Sequence, residues 1–245
     1  MRTLNIAHRG ASSAAPENTF AAFDQAIEAG ADGIEFDVHL SKDNVPVVIH
    51  DDKLERTTNG EGRVRDFTAD ELKKYDAGKW FDPQFSGLEI PTLGEIFTRY
   101  RESNLLFNIE LKNAGDPYPG IEEQVLECIG RYKFEEKVII SSFNHDSLLL
   151  CRKLNPEVRT GIIYLEEIME PWHYARSLGC YSVHPLFFYL QSEEILTGFQ
   201  NHEIPLYPWT VNDTEQMEIF VNKNIEGIIT DYPQELTKIL GLISS

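Results

Sequence analysis

The 245-residue sequence contains only three cysteines, and they show no CxxC spacing. Because a thiolate metal site or a redox pair needs cysteines close together, we interpret Cys128, Cys151 and Cys180 as ordinary thiols. No run of about 18 apolar residues occurs, so no membrane-spanning helix is expected. The first residues lead directly into a strand, without the apolar stretch of a signal peptide, and a cytoplasmic location is therefore expected.

Positive charge is also scarce, with 22 Lys and Arg against 40 Asp and Glu and a formal net charge of -18 at pH 7. Such a surface repels nucleic acid and anionic lipid head groups, so neither a nucleic-acid partner nor stable membrane association is expected. If the substrate is nevertheless a phosphate, a bound metal or converging Arg and Lys side chains must supply a local positive centre. The oligomeric state is left open by the sequence.

The hydrophobic pattern predicts strands that alternate with helices. Apart from one hairpin strand, strands are predicted to begin near residues 4, 33, 105, 137, 160, 181, 206 and 227. Eight strands in this alternation predict an α/β fold, a (β/α)8 TIM barrel, and the chain length is typical of one such domain over residues 1–245. In this architecture the active site lies at the carboxyl ends of the strands.

The strand that ends at Leu40 is followed, after a short turn, by another apolar run that ends at His50. The interval is too short for a parallel crossover, so the second run must fold back as a β-hairpin return after strand 2. This hairpin is expected to place His50 opposite Phe36 or Asp37. Residues 53–90 are polar and interrupted by glycines, and they are interpreted as a small insertion.

Three acids recur near the predicted carboxyl ends of strands: Glu35 and Asp37 on the second, and Glu110 on the third. They offer hard oxygen ligands, without histidine or thiolate at zinc spacing, which favours Mg²⁺ or Ca²⁺. A bound cation would also offset the negative charge and leave a positive centre for a phosphate oxygen. The alternative is a structural network in which these acids pair with Arg9 or Lys112.

Two histidines are predicted at the same rim, because His8 ends the first strand and the hairpin returns His50 to it. Each alone would more often be structural, but together they can divide the roles of general base and general acid. Arg9 and Lys112 could clamp phosphate oxygens, or form ordinary surface ion pairs. Trp209, at the end of the seventh predicted strand, could stack on a substrate or pack in the core.

These motifs, in this order over nearly the whole chain, resemble the glycerophosphodiester phosphodiesterase family. The segments that carry the resemblance are His8-Arg9-Gly10, Pro16-Glu17-Asn18-Thr19, Glu35-Phe36-Asp37-Val38, His50-Asp51, Glu110-Leu111-Lys112, Ser142-Phe143, Trp209-Thr210-Val211-Asn212 and Thr230-Asp231-Tyr232-Pro233. The resemblance implies a TIM barrel with a small insertion after the His-Asp strand. It also implies hydrolysis of glycerophosphodiesters to an alcohol and sn-glycerol 3-phosphate.

The resemblance further implies roles for individual residues. Glu35, Asp37 and Glu110 would hold one divalent cation, Mg²⁺ or Ca²⁺. His8 and His50 would form the acid/base pair. The residues implied around the phosphate are Arg9, Glu17 and Lys112.

The mechanism that follows is a hypothesis. The cation and Arg9 bind the non-bridging oxygens, one histidine deprotonates the nucleophile, and the other protonates the departing alcohol. Either histidine could be the acid, and we favour His50; the nucleophile is either water or the glycerol 2-hydroxyl. Two other functions are considered, a lysophospholipase-D-like enzyme acting on lipid phosphodiesters and a non-catalytic barrel that binds a phosphodiester. No basic or amphipathic surface segment is predicted, which favours a small, water-soluble diester.

Overall fold

The computed structural model of the protein describes residues 2–115, 117–190 and 192–243. The strands are β1 Leu4–His8, β2 Gly33–Leu40, β3 Pro46–Val48, β4 Leu106–Leu111, β5 Val138–Ser142, β6 Thr160–Tyr164, β7 Ser182–Pro185 and β8 Gly227–Thr230. They form one sheet in the order β7-β6-β5-β4-β2-β1-β8, in which neighbours are parallel, while β3 pairs with β2. The prediction of an α/β fold with parallel strands is confirmed.

Helices fill most of the connections between these strands. They are α1 Phe20–Glu28, α2 Ala69–Leu72, α3 Leu93–Arg99, α4 Ile121–Tyr132, α5 His145–Leu154, α6 Pro171–Ser177, α7 Glu193–Asn201, α8 Thr214–Asn222 and α9 Pro233–Ile243. Several begin at a side chain that caps the first turn; the Thr19 hydroxyl, for example, accepts a hydrogen bond from the backbone N–H of Ala22. In the part of the chain that the structure describes, no helix is long and apolar enough to cross a membrane.

The parallel register of the central strands brings particular polar residues side by side. In the β1/β2 pair, His8 is the partner of Glu35. In the β2/β4 pair, Asp37 is the partner of Glu110. Side chains two residues apart on a strand share one face, so Glu35, Asp37 and Glu110 project to the same side of the sheet.

The segment after β2 turns back on it. β3 runs antiparallel to β2 with Val38 opposite Val48, and beyond the ladder the N–H of Ile49 donates to the carbonyl oxygen of Asp37 at 3.1 Å. Continued by two residues, this register sets His50 opposite Phe36. The chain that follows packs a small separate apolar cluster against β3, whose members are Val47, Ile49, Leu54, Val64, Ala69, Leu72, Ala77 and Ile90.

The sequence also predicts a strand from Leu206 to Val211, and here the structure differs. Only isolated parallel bridges occur, between Leu206 and Val183 and between Trp209 and Leu186. The physical reason is the presence of Pro205 and Pro208, which have no amide hydrogen and interrupt a regular ladder. The segment still spans the gap between the two edges of the sheet: its backbone hydrogen-bonds β7 on one side and β8 on the other.

The largest apolar core lies between the sheet and the surrounding helices. Its centre is a group of fully buried phenylalanines, among them Phe36, Phe97, Phe107 and Phe134. The rings of Phe97 and Phe134 are stacked with their centroids 4.3 Å apart. Each buried ring contributes about 1.5 to 3 kcal/mol of transfer free energy, which keeps the strands that carry the polar residues in fixed positions.

Candidate active site

A cavity of about 190 Å³ lies at the carboxyl ends of the strands. The sequence-predicted site residues on its wall are His8, Arg9, Glu35, His50, Glu110, Lys112 and Trp209. Two other predicted residues, Asp37 and Glu17, do not line the cavity and lie behind this wall. The fold therefore brings polar groups from distant parts of the chain to one opening.

Three carboxylates form the centre of this site. One oxygen from each of Glu35, Asp37 and Glu110 lies within 4.8 Å of the others. Glu35 and Asp37 are 4% and 1% exposed, so these charges are largely removed from water. Such a set of hard oxygen donors fits a divalent cation of the Mg²⁺ or Ca²⁺ type, which compensates charges that otherwise repel one another.

The three acids titrate differently because their surroundings differ. Burial, together with the charges of Asp37 and Glu110, raises the pKa of Glu35 well above its ordinary value. Burial also raises the pKa of Glu110, although Lys112 opposes it. Burial acts in the same direction on Asp37, but Arg9 and Lys112 outweigh it and hold the pKa of Asp37 below its ordinary value.

Arg9 and Lys112 are the positive groups nearest to this cluster. The Nε atom of Arg9 lies 3.4 Å from Oδ2 of Asp37, and its Nη1 donates to Oε1 of Glu17 at 2.9 Å. Lys112 Nζ donates to Oε1 of Glu110 at 2.8 Å and lies 3.6 Å from Oδ1 of Asp37. Both side chains line the cavity beside the acids, where they can bind a phosphate oxygen.

His8 is oriented by the carboxylate of Asp231, which directly follows the last strand, β8. Its Nδ1 lies 2.6 Å from Oδ1 of Asp231. The Ser12 hydroxyl donates to the same oxygen at 2.9 Å, and Nδ2 of Asn212 donates to Oδ2 of Asp231 at 2.7 Å. Burial would raise the pKa of Asp231, but these partners hold it below its ordinary value. Because an ionised carboxylate can only accept a hydrogen bond, Nδ1 of His8 must carry the hydrogen. In the neutral imidazole the lone pair is therefore on Nε2, and this atom lies 3.9 Å from Oε2 of Glu35.

His50 has a comparable arrangement. Its Nδ1 lies 2.6 Å from Oδ1 of Asp51, and its Nε2 lies 3.2 Å from Nζ of Lys112. Because an ammonium group can only donate, Nε2 of His50 accepts this hydrogen bond in the structure. Both histidines therefore present Nε2 to the cavity and are held at Nδ1 by a carboxylate.

Arg56 is a site residue that sequence reasoning missed. It lies in the chain after β3, and its guanidinium donates to both oxygens of Asp51, at 2.7 and 2.9 Å, and to both oxygens of Glu17, each at 2.8 Å. The hydrogen bonds from Arg56 hold the pKa of Asp51 at about 2. Arg56 belongs to no periodic element, so the only available signal was the need of Glu17 and Asp51 for a counter-charge.

The far wall of the cavity combines an aromatic ring with a buried histidine. Trp209 donates through Nε1 to the carbonyl oxygen of His184 at 2.8 Å, and its ring meets that of Phe143 edge-on at 5.7 Å. His184 contacts Ser182 and Asn108, and burial lowers its pKa to about 3, so it stays neutral. Neither His184 nor Asn108 was predicted, although Asn108 shares a strand face with a predicted ligand two residues later.

Comparison with known proteins gives a consistent result. The sequence model of the glycerophosphoryl diester phosphodiesterase family matches residues 8–235. A glycerophosphodiester phosphodiesterase of Caldanaerobacter subterraneus subsp. tengcongensis is 49% identical over 240 residues, which cover 98% of each chain. Another, of Bacillus subtilis, is 35% identical and covers 97% of this chain and 86% of its own.

Solved structures agree with the sequence comparison. An Oleispira antarctica phosphodiesterase, in complex with the product sn-glycerol-3-phosphate, superposes with a TM-score of 0.87 at 29% identity, covering 100% of this chain and 98% of its own. A glycerophosphodiester phosphodiesterase of Thermotoga maritima gives a TM-score of 0.80 at 31% identity, with 98% and 99% covered. The similarity therefore extends over the strands that carry the candidate site.

Proposed function

The chain belongs to the glycerophosphoryl diester phosphodiesterase family, and on this premise we propose that it hydrolyses glycerophosphodiesters to an alcohol and sn-glycerol 3-phosphate. The observation that carries the proposal is the convergence of two histidines, three carboxylates and two basic side chains at one cavity. The Oleispira antarctica relative was solved in complex with sn-glycerol-3-phosphate, which is the product expected here. The substrate proposed is therefore a small-molecule diester.

We also propose that the sheet closes as a (β/α)8 TIM barrel and that residues 1–245 form one domain. The hydrogen bonds of residues 205–211 to both edges of the sheet support this closure, with that segment in place of the seventh strand. The antiparallel β2/β3 pair supports a hairpin return, and the separate apolar cluster supports an insertion over 53–90. A cytoplasmic location stays a prediction from the sequence, to be tested by cell fractionation.

The proposed metal ligands are Glu35, Asp37 and Glu110. Their mutual distances and their burial support one divalent cation, Mg²⁺ or Ca²⁺, because buried carboxylates this close together repel one another and hard oxygens suit these ions. When bound, such a cation supplies a Lewis acid that stabilises negative charge on the non-bridging phosphate oxygens. The protein contributes the rigid placement of the three side chains on β2 and β4.

In the proposed reaction the two histidines move the protons. His8, held at Nδ1 by Asp231, has Nε2 available to take the proton of the nucleophile. His50 acts as the acid: its Nε2, once protonated, gives that proton to the oxygen of the departing alcohol as the bond from phosphorus to that oxygen breaks. Asp51 supports this role by stabilising the imidazolium form of His50. Before this, Lys112 must turn from His50 to the phosphate, which frees Nε2 of His50 to take up a proton from solvent.

Four further residues are proposed to form the substrate-binding site. Arg9 and Lys112 would donate hydrogen bonds to the non-bridging phosphate oxygens. The phosphate would compete for these two side chains with the carboxylates that they contact in the structure, those of Asp37 and Glu110. Glu17 would act indirectly, because it lies behind Arg9 and fixes the guanidinium. Trp209 would form an apolar wall for the glycerol carbons.

The nucleophile is either water or the 2-hydroxyl of the substrate glycerol. In the first case a water oxygen bonds to phosphorus directly; in the second a cyclic phosphate forms and is then opened by water. Single-turnover quenching followed by ³¹P NMR distinguishes them, because only the second route accumulates a cyclic glycerophosphate.

The assignment of His50 as the acid is tested separately with a substrate that has an activated leaving group. His50→Ala is expected to lose less rate on such a substrate than on a natural diester, and an equal loss would oppose the assignment.

The proposed function is tested by measuring release of glycerol 3-phosphate from glycerophosphocholine and glycerophosphoethanolamine in the presence of Mg²⁺ or Ca²⁺. The protein should release it, and His8→Ala and His50→Ala should each lose about 10² to 10⁴ in rate, the usual size of an acid/base contribution. His173→Ala, an exposed histidine on α6, is the matched control and should keep its activity. Absence of release with either metal would refute the proposal.

A second candidate is lysophospholipase-D-like activity, which one observation favours. Met169 and Phe188 follow β6 and β7, at the carboxyl face that carries the site, and they are 89% and 68% exposed. Large exposed apolar groups near a site can contact an acyl chain or a lipid surface. Hydrolysis of lysophosphatidylcholine, reduced in a Met169→Ser/Phe188→Ser double variant, would support this candidate. Failure to float with liposomes and to cleave lysolipid would exclude it.

A further inference from the structure

A second groove adjoins the candidate active site on the side of His50. Its volume is about 420 Å³. It shares with the main cavity a wall made of His50, Glu110, Lys112 and Phe143. Residues that line the groove alone include His39, Asp51 and Asp52.

The sizes of the neighbouring spaces indicate where a substrate extends. The main cavity, at about 190 Å³, is smaller than the roughly 300 to 1,000 Å³ of pockets that enclose whole ligands, so part of a diester must project from it. A third space touches His50 beside Asn18 and Thr57, but its volume of about 10 Å³ holds no more than about one water molecule. The groove is therefore the space into which the rest of the diester can extend.

We propose that this groove binds the departing alcohol and that it prefers an alcohol that carries a positively charged ammonium group. The inference rests on the proposed hydrolysis with His50 as the acid. Because the acid must touch the leaving oxygen, the alcohol lies on the His50 side of the phosphorus atom. That is the side on which the groove opens.

The charged groups of the groove favour a cation. Asp51 and Asp52 both line it; the carboxylate of Asp51 is bound by Arg56, whereas Asp52 is half-buried on the groove wall. Lys112, the basic residue on the shared wall, is held by Glu110 at 2.8 Å. Asp52 is thus the carboxylate best placed to pair with an ammonium group of the alcohol.

An aromatic side chain on the shared wall suits the same kind of ligand. The ring of Phe143 lines the groove and offers an aromatic surface to an ammonium group. The groove therefore combines the carboxylate of Asp52 with an aromatic ring, and both attract a quaternary ammonium group.

The test compares two diesters that share the glycerophosphoryl part. Glycerophosphocholine has a permanently charged alcohol, and glycerophosphoglycerol has a neutral one. The protein is expected to show a higher kcat/KM for the choline diester, and Asp52→Asn should lower the ratio of the two values about fivefold, the effect of one partly exposed charge pair. Asp70→Asn, an exposed acid at the start of α2, removes the same charge elsewhere and should leave the ratio unchanged.

Equal kcat/KM values for the two diesters, or an unchanged ratio in Asp52→Asn, would overturn the subsite while leaving the proposed hydrolysis intact. If neither diester is cleaved, the proposed function is wrong, and calorimetric titration of the same two compounds decides the subsite separately. Tighter binding of the choline diester that Asp52→Asn reduces about fivefold would support it. Equal binding of both compounds would overturn it.

Discussion

Replacement of Glu35 by glutamine is expected to change the thermal stability in opposite directions with and without a divalent cation. In the metal-free protein this buried carboxylate lies within 4.8 Å of two others. Two charges at that distance repel by about 3 to 4 kcal/mol at an effective dielectric constant of 20, and Arg9 and Lys112 offset part of this. Glu35→Gln should therefore stabilise the metal-free protein by about 1 to 2 kcal/mol, a rise in Tm of about 2 to 8 °C.

In the presence of a divalent cation the order of the two Tm values should reverse, so that the wild type melts at a higher temperature than Glu35→Gln. A ligand present at 100 times its Kd stabilises the folded state by about 2.7 kcal/mol, which raises the Tm of a chain of this size by about 5 to 10 °C. The variant lacks one of the three carboxylates and should lose most of this rise.

The assay is calorimetry or dye-based melting of both proteins in EDTA, in Mg²⁺ and in Ca²⁺. Glu218→Gln, an exposed acid on α8, is the control for the change in net charge and should follow the wild type. A lower Tm of metal-free Glu35→Gln, or a full cation-dependent rise in that variant, would refute the reasoning.

Three further predictions concern residues around the two histidines. Arg56→Gln should lower kcat about tenfold and Tm by about 2 to 4 °C, because Glu17 and Asp51 lose the hydrogen-bond donor that they share. The effect on Tm is small because Arg56 is itself partly exposed. An unchanged kcat would contradict this prediction. Asp231→Asn should lower kcat at least about 100-fold by releasing the tautomer of His8, with little change in KM. Asp51 has a pKa of about 2 in the folded protein, below its ordinary value of 3.8, so its ionised form stabilises the fold above pH 3.8. This contribution is lost as the pH falls toward 2. Between pH 5 and pH 2.5 the Tm of Asp51→Asn should therefore fall less than the Tm of the wild type.

The parts of the fold that could be predicted are those in which hydrophobic periodicity and strand geometry act together. The alternation of apolar runs with capped helices was sufficient for an α/β fold with parallel strands. Because parallel strands end at one edge, residues near their carboxyl ends, such as His8, Glu35 and Glu110, could be expected to lie close together. The chemical roles of these residues stay predictions until they are measured.

The parts that could not be predicted depend on local backbone chemistry or on tertiary contacts. Apolar residues near Trp209 suggested a strand, but Pro205 and Pro208 remove the hydrogen bonds that a regular ladder needs. Arg56 lies in an irregular segment, and nothing in its neighbourhood of the sequence shows that the distant carboxylate of Glu17 meets it. His184 was likewise not predicted, because its burial against the cavity depends on contacts with Asn108 and Trp209, which are distant in sequence.

The most direct test of the central claim is a titration of activity with metal. Protein freed of metal by chelation is given increasing Mg²⁺ or Ca²⁺, and release of glycerol 3-phosphate from glycerophosphocholine is measured at each step. The account predicts no activity in chelator, recovery as one equivalent of cation binds, and no recovery in Glu35→Gln. Full activity in excess chelator, or in Glu35→Gln with cation, would contradict it.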